Sequence, residues 1–100
     1  MTTLAMHIED GKFTYAQIER QGDLAIYRQQ RHGSHIQRYE VIVIRFQPAH
    51  TFPSGHVKPE GEAYPNSNAW GRDGWTFHTL TEGQAWLGQL ASKRMTATEV

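Results

Sequence analysis

The sequence predicts an α+β fold, a small antiparallel sheet of about four strands with a C-terminal helix packed on one face, in the order ββββα. Three observations carry this expectation. Period-two alternation runs through Phe13 to Glu19 and again through Trp75 to Leu80. The segment Arg38-Tyr-Glu-Val-Ile-Val-Ile-Arg-Phe46 is apolar and β-branched on both faces. Trp86, Leu87, Leu90 and Ala91 form a stripe at helical spacing.

In chain order, Phe13 to Glu19 and Leu24 to Arg28 flank the turn-like Gln21-Gly22-Asp23 and read as a β-hairpin. The polar Arg31 to His35 segment leads into the Arg38–Phe46 strand, expected in the interior of the sheet. Gln47 to Arg72 holds all four prolines and no periodic apolar pattern, so a long irregular connection is expected there. After the fourth strand, the helix is expected from about Thr81 to Lys93, with Thr81 as cap, Gln84 completing a capping box and Leu80 stapled onto Ala85. Lys93 and Arg94 then place positive charge where the helix dipole favours it. Met95 to Val100 reads as a frayed tail. Residues 1–100 are expected to form a single domain, ordered over about 12–94 with flexible termini.

Composition narrows the function. Ten Lys plus Arg balance ten Asp plus Glu, so no global field favours a polyanion or an anionic membrane. The chain has no cysteine, which excludes a disulfide framework, a thiolate nucleophile and thiolate zinc sites, and suits a reducing cytoplasm. No segment approaches the roughly 20 apolar residues needed to span a bilayer. No serine sits in a G-x-S-x-G elbow, and neither G-x-x-x-x-G-K-[ST] nor G-x-G-x-x-G occurs, so no catalysis and no cofactor are expected.

Two residue groups have site-like spacing. His50 and His56, followed by Glu60 and Glu62, offer nitrogen and oxygen ligands of the kind zinc takes, but in a Pro/Gly-interrupted loop, where solvated side chains are the ordinary outcome. Arg20, Arg28, Arg31, Arg38 and Arg45 interleave with Tyr15, Tyr27 and Tyr39 in or beside predicted strands, and a sheet mixing these types can stack bases while holding phosphate. The same pattern is equally that of an amphipathic sheet with arginine stems at its edge.

All three tryptophans fall between Tyr64 and Trp86. Trp75 and Phe77 share a strand face and Trp86 lies on the helix that follows, so these rings are expected in the core. Gly71 and Gly74 serve the turn into the strand. Trp70 and Arg72 are not needed by that packing. They are therefore the leading partner-binding candidates, with Tyr64 from the connection and Tyr39 and Arg45 from the central strand.

Trp70-Gly71-Arg72-Asp73-Gly74 resembles the W-G-R-x-G signature of WGR domains, nucleic-acid-sensing modules in which the motif follows strands and precedes a helix; here Glu82 and Ala85 fall in that helix. The long loop between Arg45 and Trp70 departs from that family. Tyr39-Glu40-Val41, Glu62-Ala-Tyr64-Pro65, Trp70-Gly71, Gly74-Trp75-Thr76 and the closing helix are together similar to short proteins carried by bacteriophages and mobile elements. That resemblance implies an accessory protein acting on a host or phage protein, such as an inhibitor of a host system, and supplies no catalytic residues. The expectation is thus a non-catalytic, cytoplasmic protein-binding protein. The alternative is a single-stranded nucleic-acid-binding module using Arg20, Arg28, Arg38, Arg45 and Tyr27. A homodimer is also expected, because Val41 and Val43 oppose Ile42 and Ile44 on a strand that one helix cannot cover twice.

Overall fold

A computed structural model describes residues 3–98, with side chains through Lys93. Its strands are β1 (His7–Asp10), β2 (Phe13–Gln21), β3 (Leu24–Arg31), β4 (Gln37–Val43), β5 (Arg45–Gln47), β6 (His50–Thr51), β7 (Val57–Lys58), β8 (Gly61–Ala63) and β9 (Gly74–Phe77), and α1 (Leu80–Thr98) closes the chain. The main sheet is antiparallel and five-stranded in the order β1-β2-β3-β4-β9. The α+β architecture and the C-terminal helix match the sequence expectation, with one strand more.

The added strand is β1, which lies before the expected start of the ordered core and pairs Ile8 with Tyr15 and Asp10 with Phe13. Its two-residue turn is Gly11-Lys12, with Gly11 at φ 58°, the backbone region such hairpin turns require. The β2–β3 hairpin forms as predicted around Gly22, and a register shift between Gln17 and Glu19 accommodates one extra residue. β4 is an interior strand, hydrogen-bonded to β3 and β9.

The connection is more regular than its sequence suggests. β5 pairs with β8 and β6 with β7, so residues 45–63 form a two-tier hairpin arm closed by Phe52 N–H donating to His56 O at 2.8 Å. Pro48 and Pro59 stand between the tiers on opposite legs of the arm. A proline has no N–H to give a ladder, so each tier is only two or three residues long and no alternation survives to be read.

The helix begins at Leu80, one residue earlier than predicted, and its cap is Thr79, two residues before the expected one. The Thr79 hydroxyl oxygen accepts from Glu82 N–H at 3.2 Å and the hydroxyl donates to the Glu82 carboxylate at 3.0 Å. The backbone stays helical to Thr98, so part of the expected tail continues the helix. The side chain of Arg94, and Glu99 and Val100, lie outside the described residues.

β3 and β4 are buried on both faces. On the helix side, Leu24, Ile26 and Val41 pack with Leu87, joined by Tyr39, Phe77, Trp86 and Leu90. Trp75 and Trp86 meet edge to face at 5.4 Å, as the sequence reading anticipated. Gly83 brings the helix close, since a Cβ there would lie 3.5 Å from Val41 Cγ2. On the opposite side, Ala25, Tyr27, Ile42 and Ile44 pack with Leu4, Ile8, Tyr15, Tyr64 and Trp70. The N-terminal segment and the end of the connection therefore cover the face that was expected to require a second subunit.

Replacing Thr79 by alanine should cost about 0.5–2 kcal/mol in urea melts, and Thr81→Ala should be near neutral, because only Thr79 satisfies a helix N–H.

Candidate functional site

The site is built on the second face. Tyr64 follows β8 and Trp70 follows a 3-10 turn at Ser67–Ala69, so the chain leaving the arm lays both rings over the sheet. Their rings stack at 6.5 Å, and Tyr64 also contacts Tyr15 at 5.7 Å and Tyr27 at 5.2 Å. Between these rings and β1 lies a concavity of about 880 Å3, lined by Glu9, Asp10, Tyr15, Glu40, Tyr64 and Trp70 among others. Its size is that of a ligand-binding cleft.

Glu40 is the buried polar residue of β4, 7% exposed. It accepts a 2.6 Å hydrogen bond from the Tyr64 hydroxyl. Burial raises its pKa above the ordinary carboxylate range, an effect that hydrogen bonds from Tyr64 and Thr76 partly offset. Burial and the neighbouring Glu40 likewise push the Tyr64 hydroxyl far up, so Tyr64 remains a donor.

A clasp holds this cover in place. The Arg20 guanidinium donates to both oxygens of Glu62, at 2.8 and 2.6 Å, and Leu4 N–H donates to the same carboxylate at 2.9 Å. Hydrogen bonds from Arg20 and Leu4 hold Glu62 down at about 2. One group thereby ties β2, the N-terminal segment and β8 together.

The predicted residues distribute unevenly around the molecule. Tyr64 and Trp70 meet at the concavity, but Trp70 is not the free surface residue expected. It is half-buried, its indole N–H donates to Thr76 Oγ1 at 3.0 Å, and its ring lies over Gly74, where an added Cβ would approach ring carbons to 2.5–2.8 Å. Gly71 at φ 89° is the turn that folds the chain back at this point. Arg72 is exposed, and it shares Asp73 with Arg45, at 3.3 and 2.9 Å. Tyr39 packs into the helix-side cluster, away from both.

The nucleic-acid set does not assemble. Tyr27 is fully buried, donating to Ala5 O at 2.7 Å, and offers no ring face to a base. Arg20 is engaged by Glu62, Arg38 lies 3.2 Å from His78 Nδ1, and Arg45 is paired with Asp73. Arg28 stands opposite Tyr39, on the helix side, whereas Arg38 alternates to the other face. Strand alternation separates what the linear interleaving suggested.

His50 and His56 bracket the ring of Phe52, at 4.6 and 5.8 Å between centroids, while Glu62 is committed to Arg20. Among the described residues no group of three or more His, Asp or Glu side chains gathers to hold a metal ion. Asp10 and Glu40 were missed as site residues by sequence reasoning, and Tyr15 entered it only with the nucleic-acid group. Glu40 had a signal, a single carboxylate inside a strand apolar on both faces.

No protein-family model matches the chain, and no curated protein or solved structure is significantly similar to it. No helix among the described residues is long and apolar enough to cross a membrane.

Two measurements test this construction. Gly74→Ala should cost about 1–3 kcal/mol by crowding the Trp70 ring, and Trp70→Ala about 3 kcal/mol through lost packing. The alanine at 74 should cost far less in the Trp70→Ala background, because the two act through one contact. Arg72→Ala should stay within about 0.5 kcal/mol. In acid, Glu62 contributes stability that is complete above the ordinary carboxylate range and is lost as pH falls towards about 2. The melting temperature of Glu62→Gln should accordingly lie below that of the parent at pH 6, with the gap closing as pH falls to 2.

Proposed function

We propose that this chain is a non-catalytic protein-binding protein that engages its partner through the hairpin arm of residues 45–63 and the concavity beside it. The observation that carries this reading is the arm itself. Both sheet faces are already covered, yet the arm leaves Phe46, Phe52 and Val57 exposed at 54%, 40% and 55%. Apolar side chains on a two-stranded ladder combine two means of docking, apolar contact and strand addition at an unpaired edge. Arg72 and Arg45 stand at the base of the arm and add the cationic rim that interfaces favour.

The resemblance to phage and mobile-element proteins read from the sequence motifs makes a host or phage protein the first partner to test, in a cytoplasmic setting and with inhibition as the outcome to assay. Self-association also rests on the arm now, because the sheet face that called for a dimer is filled by this chain's own Tyr64 and Trp70. A second reading, single-stranded nucleic-acid binding, keeps one favourable feature: Phe13, Arg31, His32 and Arg38 line a separate recess.

The test is a variant with Phe46, Phe52 and Val57 all changed to serine. Affinity capture from host extract should retain a stoichiometric partner on the parent protein and lose it on the variant, with the melting temperature shifted by only a few degrees. Sedimentation of the parent at micromolar concentration should give twice the chain mass and the variant a monomer. Retention of the partner by the variant would refute the arm. Oligonucleotide binding that weakens steeply with salt would favour the second reading instead.

A further inference from the structure

The concavity on the second face has a chemistry of its own that the arm does not explain. Tyr15, Tyr64 and Trp70 supply aromatic rings, and Asp10 and Glu40 supply carboxyl groups, while Glu9 lines the rim from β1 with its own carboxylate turned to His7 on the other face. Ile8, Pro65, Asn66 and Ser67 complete the lining, so it contains no lysine, arginine or histidine. The chain as a whole is neutral, which makes a lining of one sign a local arrangement rather than a reflection of composition. Among the described residues Glu40 forms no ion pair; its partners are the hydroxyls of Tyr64 and Thr76. A buried carboxyl so placed is costly to ionise unless a cation comes to it. Aromatic faces and carboxylates attract the same ligand, since the ring quadrupole is negative on its face.

We propose that this concavity takes the cationic side chain of a protein partner, a lysine ammonium or an arginine guanidinium, lodged against Tyr15, Tyr64 and Trp70 with its charge towards Glu40 and Asp10. An anionic or neutral apolar ligand fits less well. An anion would meet the carboxyl groups of Asp10 and Glu40, and a neutral apolar chain would leave Glu40 beside hydrocarbon. Charge complementarity is therefore the argument for the occupant, and the cleft is large enough for a long side chain. The proposal draws on the protein-binding reading only for the source of the cation.

The probes are Nα-acetyl-lysine N-methylamide, its arginine counterpart and the neutral norleucine counterpart, titrated into the full chain at low ionic strength. Binding is followed through the indole N–H resonances, with that of Trp70 assigned from Trp70→Phe. The lysine and arginine probes should shift the Trp70 signal saturably, and norleucine should bind about tenfold more weakly or not at all. Glu40→Gln should weaken the lysine probe by about tenfold. If that variant does not fold, the exposed Asp10→Asn should still weaken it several-fold and show a flatter salt dependence, whereas Glu9→Gln should leave it unchanged.

Equal binding of norleucine would overturn the proposal, as would shifts confined to Trp75 and Trp86, or unchanged affinity after the Glu40 and Asp10 substitutions. Tetramethylammonium binding more tightly than either amino-acid probe would overturn the assignment to a protein side chain. The triple-serine arm variant separates the two claims. It should keep its affinity for the lysine probe, so failure of the arm to capture a partner leaves this site standing, and failure of the probe leaves the arm untouched.

Discussion

The structure depends on one constraint: β3 and β4 carry large apolar side chains on both faces, so both faces must be covered. Leu24, Ala25, Ile26 and Tyr27 are consecutive and all buried, which is impossible for a strand with one face in water. Each such side chain is worth roughly 1.5–3 kcal/mol when it leaves water. The helix takes one side with Leu87, Trp86 and Leu90. The other side falls to segments with little regular structure of their own, Leu4 at the N-terminus and Tyr64 with Trp70 at the end of the connection.

A cover made of loops must be fastened by polar contacts as well as apolar ones. Glu62 does this by accepting from Arg20 and from Leu4 N–H, fixing two covering segments against β2 through a single carboxylate. Backbone bonds assist at the crossing point, where Ile44 N–H donates to Asp23 O and Val43 N–H to Asp73 O. Fastening of this kind leaves gaps where rings meet strands at an angle. The concavity lies where β1, the Tyr64–Trp70 stack and the buried Glu40 come together. The proposed binding on this face and the stability of this face therefore draw on the same residues. Trp70 is both a packing side chain and a wall of the cleft, so its substitution cannot report on binding alone.

The arm obeys a different logic. Its tiers are too short to bury a core, and its apolar side chains point away from any cluster of this chain. A two-stranded ladder of this length is marginal in water. Contact with another chain would relieve that, which is the physical basis for assigning the arm to binding.

Sequence by itself determined the fold class, the β2–β3 hairpin, the interior place of β4 and the Trp75–Trp86 contact, because these follow from local periodicity and nearest-neighbour turns. It also determined that Gly71 and Gly74 serve a tight turn. Where two local signals competed, local reading chose wrongly: Thr79 and Thr81 both precede a helix former at the third position, and only the sheet's end fixes which one caps. Tertiary structure alone decided which arginines share a face, since the register shift near Ile18 carries Arg20 to the second face and the β3–β4 pairing sends Arg28 and Arg38 to opposite sides. It decided as well that the connection is a paired arm and that Trp70 turns inward over Gly74. Glu40 shows the division most plainly. Its presence in an apolar strand was visible in the sequence, but its partners are 24 and 36 residues away in Tyr64 and Thr76, and such separations are bridged by packing, not by any local preference of the chain.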